Sequence, residues 1–486
     1  MSDDHADKSF WLAAYGPYAE NRPLEAVIDV DVAVVGGGFT GLSTAWHLRC
    51  AEPGASVAVL ESEIVGYGAS GRNAGFSMTL FGLEAGVTKA LFGAQRTVEA
   101  YRYMERAVDY VDRLVREHGI RSDYEFPGYL RVATSEGAAR RIERDLELLT
   151  RLGIAGLEWM DAPRLRAEVD SPAFLGGVWE PRCGLLDPAR QVRELKRLAE
   201  AAGARVFERT PVTSIHRGER LRLTTPRGTV TARKLVLATN AYSHLLPWLR
   251  RKQVPVFTHM VVTEPLSAER RARIGWRNRQ GVEDGRALIH YLRLTADDRI
   301  AIGGSDVSIP YGSDMDCDAS PRVFADLERA IVGFFPALGG IRCTHRWGGP
   351  VSVPVQMVPA LGYLGDPRVT YSLGCMGHGV SLSHLNGQTL ADLVLERRTE
   401  LTEVWFVNRR VVPWPPEPLR FAVGRAVRGA LRLLDARDER RPRPAALPEA
   451  LAAAPPGAPA SMLASAPPAP VPAEAAEGAA ASPGPG

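Results

Sequence analysis

Apolar positions along the chain fall into short continuous runs and longer helical stripes, and their order predicts an interleaved α/β architecture. Val32–Val35 reads as a short buried strand, Leu42–Leu48 as a helix and Ser56–Leu60 as a second apolar strand. Residues 95–118 place Val98, Tyr101, Met104, Ala107, Val108, Val111, Leu114 and Val115 at helical spacing, ending at Gly119. Gly128–Ala133 is strand-like, and Glu136–Leu152 is amphipathic with a helical period. Asp187-Pro188 opens a helix through Ala202, and Arg205–Glu208 follows Gly203 as a strand. Leu221–Val230 reads as a hairpin about Pro226, Arg227 and Gly228, and Lys234–Ala238 as a fully apolar strand. Further β segments are expected at Val256–Val262, Ala287–Leu294 and Arg299–Gly303, and a last strand–helix unit at Tyr371–Leu395.

The α/β signal is broken twice by β-richer text. One discontinuous, Rossmann-like nucleotide domain is therefore expected from 27–95, 175–250 and 345–435. A β-rich substrate domain, 96–174 and 251–344, is inserted between those pieces. The overall class is α/β in the nucleotide domain and α+β for the whole chain. Residues 1–26, with Trp11, Tyr15, Tyr18 and Pro23, read as an irregular arm that packs by its aromatics. From about Arg441 the composition collapses into Ala, Pro, Gly and Ser, so 441–486 is expected to be a disordered tail. Just before it, Phe421–Leu434 reads as a basic helix carrying Arg425, Arg428 and Arg432. A helix packed on its own domain with a solvated Arg face is the plain reading; a membrane-surface role is the alternative.

Bulk composition narrows the function. The 486 residues are 45% hydrophobic and 24% charged, with net charge +3, which gives no ground for nucleic-acid binding. Five cysteines, Cys50, Cys183, Cys317, Cys343 and Cys375, are scattered without C-x-x-C spacing, so neither a disulfide framework nor a metal site is expected. The polar N-terminus lacks a signal-peptide pattern, and no apolar run has the length of an integral membrane segment. A reducing cytoplasm is the expected location.

The chemistry enters with Gly36, Gly38 and Gly41, which fit G-x-G-x-x-G between the first strand and its helix. Glu61 ends the second strand, 20 residues beyond Gly41. The first glycine permits the tight turn, the second lets backbone approach a pyrophosphate, and the third lets helix pack on strand. The pyrophosphate meets the positive helix end beside Phe39 and Thr40, and the carboxylate accepts from a ribose. An ordinary strand–loop–helix corner is the bland alternative.

Three further segments select the nucleotide: Gly66–Gly75 (GYGASGRNAG), Lys234–Ala241 (KLVLATNA) and Gly374–Gly379 (GCMGHG). In order and spacing they resemble the FAD-dependent oxidoreductases of the D-amino-acid oxidase, glycine oxidase and sarcosine oxidase superfamily. Ser9–Leu12, Ala69–Gly75, Trp347-Gly348-Gly349 and Pro416–Arg420 are similar to the gamma-glutamylputrescine oxidoreductase-like branch, over roughly residues 8–435. The resemblance implies that Ser70, Arg72, Asn73, Ala74 and Gly75 wrap the flavin end and pyrophosphate, and that Val212 meets the adenine. It places Ala238 and Thr239 beside the pyrophosphate, and Gly377, His378 and Gly379 at a helix N-terminus facing the flavin. His378 either sits against the ring system or is incidental to a capping loop. Family members that attach flavin covalently carry a His or Cys where this chain has Ser70 and Val353, so non-covalent FAD is expected. Lysines that bind a substrate carboxylate, or promote oxygen reactivity, are matched here by Ser381 and Ala301. That weakens the transfer of an N-methyl amino acid substrate and of a fast oxidase activity.

The resemblance implies FAD-dependent oxidation of a C–N bond in an amine or amino acid, with hydride transfer to flavin N5 and imine hydrolysis. His259, Tyr291 and Arg346 are the candidate polar residues of the substrate wall. The expected partners are a small amine or amino acid and an acceptor, oxygen or another. A flavoprotein dehydrogenase subunit that passes electrons to a protein or quinone is the alternative. A reductase or monooxygenase would show a second nucleotide motif, and none is found. A docking module tethered by the tail is the third reading.

Overall fold

A computed structural model of the protein describes residues 5–439, so the expected disordered tail lies outside the described residues. Valine-rich segments form the centre of the first of two eight-stranded sheets. Val27–Val35 pairs in parallel with Val57–Leu60 on one side and Thr229–Leu237 on the other. Arg205–Phe207 and Val369–Leu373 extend the parallel set, and Ala360–Tyr363 closes one edge antiparallel. Strands buried on both faces read as continuous apolar runs, which is why alternation is lost here. Leu42, Leu48, Met104, Val192 and Leu385, from four helices, cover one face through Val34, Val59 and Val236. Leu221 and Leu223 belong to the cluster covering the other.

The expected hairpin arm and the expected strand at Lys234–Ala238 are one element, Thr229–Leu237. Its first half pairs back on Leu221–Thr224 while its whole length follows Val27–Val35. That long partner is also why the first strand starts at Val27 rather than Val32.

The second sheet runs in the order Cys343–Val353, Val254–Thr263, Ile300–Ser308, His290–Leu294, Gly281–Asp284, Tyr129–Ala133, Gly176–Glu180 and Glu158–Asp161. Gly281–Asp284 is a strand that periodicity does not signal, because four residues carry too little alternation. The strand expected from Ala287 begins at His290. Residues 287 and 288 are drawn out of the sheet by Asp435, whose carboxylate accepts from the Ala287 and Leu288 amides at 2.7 and 3.0 Å.

Two terminal segments differ from expectation. The arm is not irregular throughout: Phe10–Tyr15 is helical, because Ser9 caps it by accepting from the Leu12 amide. The basic helix spans Leu419–Glu439, and two of its arginines are half-buried and paired rather than wholly solvated. Arg428 donates to both oxygens of Asp306 at 2.7 Å, and Arg432 pairs with the same carboxylate. Among the described residues no helix is long and apolar enough to cross a membrane.

Candidate active site

The parallel strands Val27–Val35, Val57–Leu60, Thr229–Leu237 and Val369–Leu373 all end at one cavity of about 600 Å³. Gly36 turns at φ 111°, and a Cβ there would lie 2.6 Å from the Ala238 carbonyl oxygen. Gly41 packs against the Gly36 carbonyl and lies behind the wall rather than in it. Gly38 caps the helix Phe39–Ala51 without any side-chain hydrogen bond, so first-turn amides face the space. Glu61 accepts from the Gly37 amide at 2.6 Å and the Glu63 amide at 3.0 Å. Burial raises its carboxyl above the usual range, and those two amides oppose the shift. Thr40, Val212, Ala238 and Thr239 line the same space.

The loop after the second strand is held mostly by itself. Ser70 Oγ accepts from the Phe39 amide at 3.0 Å, leaving its hydroxyl proton free to donate. Asn73 donates to the Ala69 carbonyl and accepts from the Gly75 amide, shaping the turn. Gly75 itself stands outside the wall, pressed against the Leu186 carbonyl. Arg72 is a strut: it donates to the Tyr67 carbonyl at 2.7 Å and to Asp318 at 2.8 Å. Trp347 and Gly349 of the Trp-Gly-Gly segment pack on it, the indole donating to the Arg72 carbonyl at 2.8 Å. Ser9 donates to the Gly71 carbonyl at 2.7 Å, tying the arm beneath the loop.

Gly377, His378 and Gly379 open the helix Gly379–Val394 against the same cavity. A Cβ on Gly377 would meet nothing within 4 Å. Burial lowers His378 to about 4, so the imidazole is neutral, and its Nδ1 is buried without a partner among the described residues. A glycine-capped helix end with first-turn amides left open, a carboxylate at the second strand and a glycine-lined opening fit a flavin dinucleotide.

One cross-strand row of the second sheet reaches the cavity, where Glu283, Tyr291 and Met260 line its floor. Arg131, Glu283, Tyr291, Gly303, Met260 and Trp347 are successive register partners. Strand alternation then decides the sequence candidates. Tyr291 lies in the row and lines the cavity. His259, next to Met260, faces the opposite way, its Nε2 at 3.2 Å from the Cys317 carbonyl and its ring 5.6 Å from Phe324. Arg346, next to Trp347, also faces away and pairs with Glu328 at 2.6 Å. The row therefore leaves both outside the wall. Glu283 and Phe76, which sequence reasoning missed, line it instead. Asp306 joins them as the third carboxylate, after Glu61 and Glu283.

Comparison with known proteins accords with this geometry. The family model described as FAD dependent oxidoreductase matches residues 31–393. The chain is similar to gamma-glutamylputrescine oxidoreductase of Escherichia coli (strain K12), 33% identical over 388 residues, 79% of this chain and 88% of that protein. It is also similar to the probable oxidoreductase OrdL of Haemophilus influenzae, 29% identical over 400 residues, 80% of this chain and 88% of that protein. In fold it resembles glycine oxidase from Geobacillus kaustophilus at TM-score 0.68 and 21% identity, covering 79% of this chain and 99% of that one. The chain is an enzyme belonging to the D-amino-acid oxidase (DAO) family of FAD-dependent oxidoreductases.

Proposed function

We propose that the enzyme holds FAD non-covalently and oxidises a C–N bond in an amine or amino acid. The observation that carries this reading is the continuity of one cavity, from the Phe39–Ala51 helix end and Glu61 to an apolar chamber floored by Tyr291. FAD, when bound, supplies a hydride acceptor. First-turn amides at Gly38 and Thr40, with the Ser70 hydroxyl, hold the phosphates, and Glu61 takes the ribose. Ala238, Thr239 and Val212 line the nucleotide end. Gly377, His378 and Gly379 bring a helix N-terminus to the redox end, where it stabilises negative charge. Phe76, Met260 and Tyr291 exclude water and orient the substrate carbon. The C=N product then hydrolyses to a carbonyl and an amine. Gamma-glutamylputrescine oxidoreductase and glycine oxidase among the similar proteins support a nitrogen-bearing substrate.

A second reading concerns the acceptor. Ala301 is fully buried in the cluster of Phe10, Trp11 and Trp347, with no room for a lysine. This favours transfer of electrons to a protein or quinone over rapid transfer to oxygen. Anaerobic mixing of the purified yellow protein with a panel of amines and amino acids tests both readings. Bleaching of the flavin band identifies substrates, and slow recovery on admitting air marks a dehydrogenase. A colourless protein that refuses added FAD would overturn the proposal.

A further inference from the structure

The charged groups of the cavity wall are unequal in what they have left to offer. Arg72 is its one Lys or Arg side chain among the described residues, and Asp318 and two backbone carbonyls occupy it. Asp306 is taken by Arg428 and Arg432, and Glu61 by two amides. Glu283 differs. No salt bridge reaches its carboxylate among the described residues, although it is only 5% exposed; the charge of Arg131 and the Tyr129 hydroxyl are the groups that favour its ionised form. Its register neighbour Arg131 commits its guanidinium to Glu84 at 3.0 Å and Asp145 at 3.2 Å.

The surroundings of Glu283 are aromatic. Tyr291 is its partner on the next strand, and Phe76 lies over Gly281, two residues along the same face. The two rings stand 6.4 Å apart in edge-to-face geometry. A carboxylate beside aromatic rings attracts a cation both by charge and by the ring quadrupoles. A carboxylate ligand would find no free cation in this wall, and would meet Glu283 as a like charge.

We propose that Glu283 is the ammonium-binding residue of the substrate chamber, with Phe76 and Tyr291 beside it, and that the enzyme selects amines without a carboxylate near the charged nitrogen. This rests on the C–N oxidation reading and deepens it. An ammonium brought to Glu283 restores the ionised form that burial disfavours.

The test separates binding from turnover. tert-Butylamine carries no hydrogen on its α-carbon, so it binds without being oxidised; pivalate has the same shape with a carboxylate. Binding of each is followed on the full chain by thermal shift and by perturbation of the flavin spectrum. tert-Butylammonium is expected to bind the wild type. Its affinity should fall about 100-fold or more in Glu283→Gln, as when one partner of a buried charge pair is removed. Glu283→Asp, which keeps the charge but withdraws it, should fall between them. Pivalate should not bind. Equal affinity in wild type and Glu283→Gln, or tighter binding of pivalate than of tert-butylamine, overturns the assignment. Failure of every amine to bleach the flavin would instead sink the C–N oxidation reading, while the thermal shifts still decide the role of Glu283.

Discussion

Tyr291 lies across Gly303, its register partner on the neighbouring strand, so closely that a Cβ on Gly303 would fall within 2.5 Å of the ring. The missing side chain is what lets the phenol lie along the sheet as part of the chamber floor. Gly303→Ala should push the ring upward, costing about 1–3 kcal/mol of stability as overpacking does. Denaturant unfolding measures the loss, and the displaced ring should raise KM for amines more than it lowers flavin content.

Gly38 supports the cofactor end in the same way. A Cβ there would stand 2.9 Å from Ser70 Oγ, and a branched side chain would fill the space before the helix amides. Gly38→Val should therefore yield protein without bound flavin, read from the ratio of flavin to protein absorbance. Recovery of a stoichiometric yellow protein would contradict this placement of the phosphates.

The carboxyl of Glu283 is pushed up to about 7 by burial, against the pull of Arg131, from an ordinary 4.5. A raised acid binds its proton more tightly in the folded chain than in the unfolded one. Stability therefore falls as pH rises from about 4.5 to about 7, and the loss is complete above that window. Without amine, Glu283→Gln should match the wild type near pH 4 and exceed it at pH 8 by on the order of 3 kcal/mol. Melting temperatures across that range check the sign; a variant less stable at pH 8 would refute it.

Asp435 and Asp306 join the last helix to the chamber. Asp435 holds the amides of Ala287 and Leu288, two residues of the cavity wall, and Arg428 and Arg432 grip Asp306, a third. Asp435→Ala should leave two amides unsatisfied, at about 1–3 kcal/mol each. The expected result is a lower Tm and a raised KM for amines, with flavin content retained. A KM equal to that of the wild type would show that the loop keeps its place without the helix.

Much of this molecule is local and therefore readable. Gly36, Gly38, Gly41 and Glu61 sit within one strand–helix–strand unit, whose spacing sets where a phosphate and a ribose meet backbone. Asp187 before Pro188 caps its helix as the pattern implies, accepting from the Arg190 amide at 3.0 Å. The helices expected at 95–118 and 136–152 appear as Ala94–Glu117 and Glu136–Arg151, because long amphipathic stripes leave little choice of face.

The substrate wall was not readable in that way. His259 and Met260 alternate along one strand, and either could face inward; only the packing of two sheets turned Met260 to the cavity and His259 away from it. Arg346 and Trp347 were divided by the same rule. Glu283 lies on a strand too short to announce itself, and its environment comes from Phe76, Arg131, Tyr291 and Gly303, residues far apart in the chain. The sequence determined a dinucleotide-binding fold through short-range spacing, where geometry follows from neighbouring residues. Tertiary structure decided which charges stay free and which are consumed, because strand register and long-range ion pairs exist only after the chain has closed on itself.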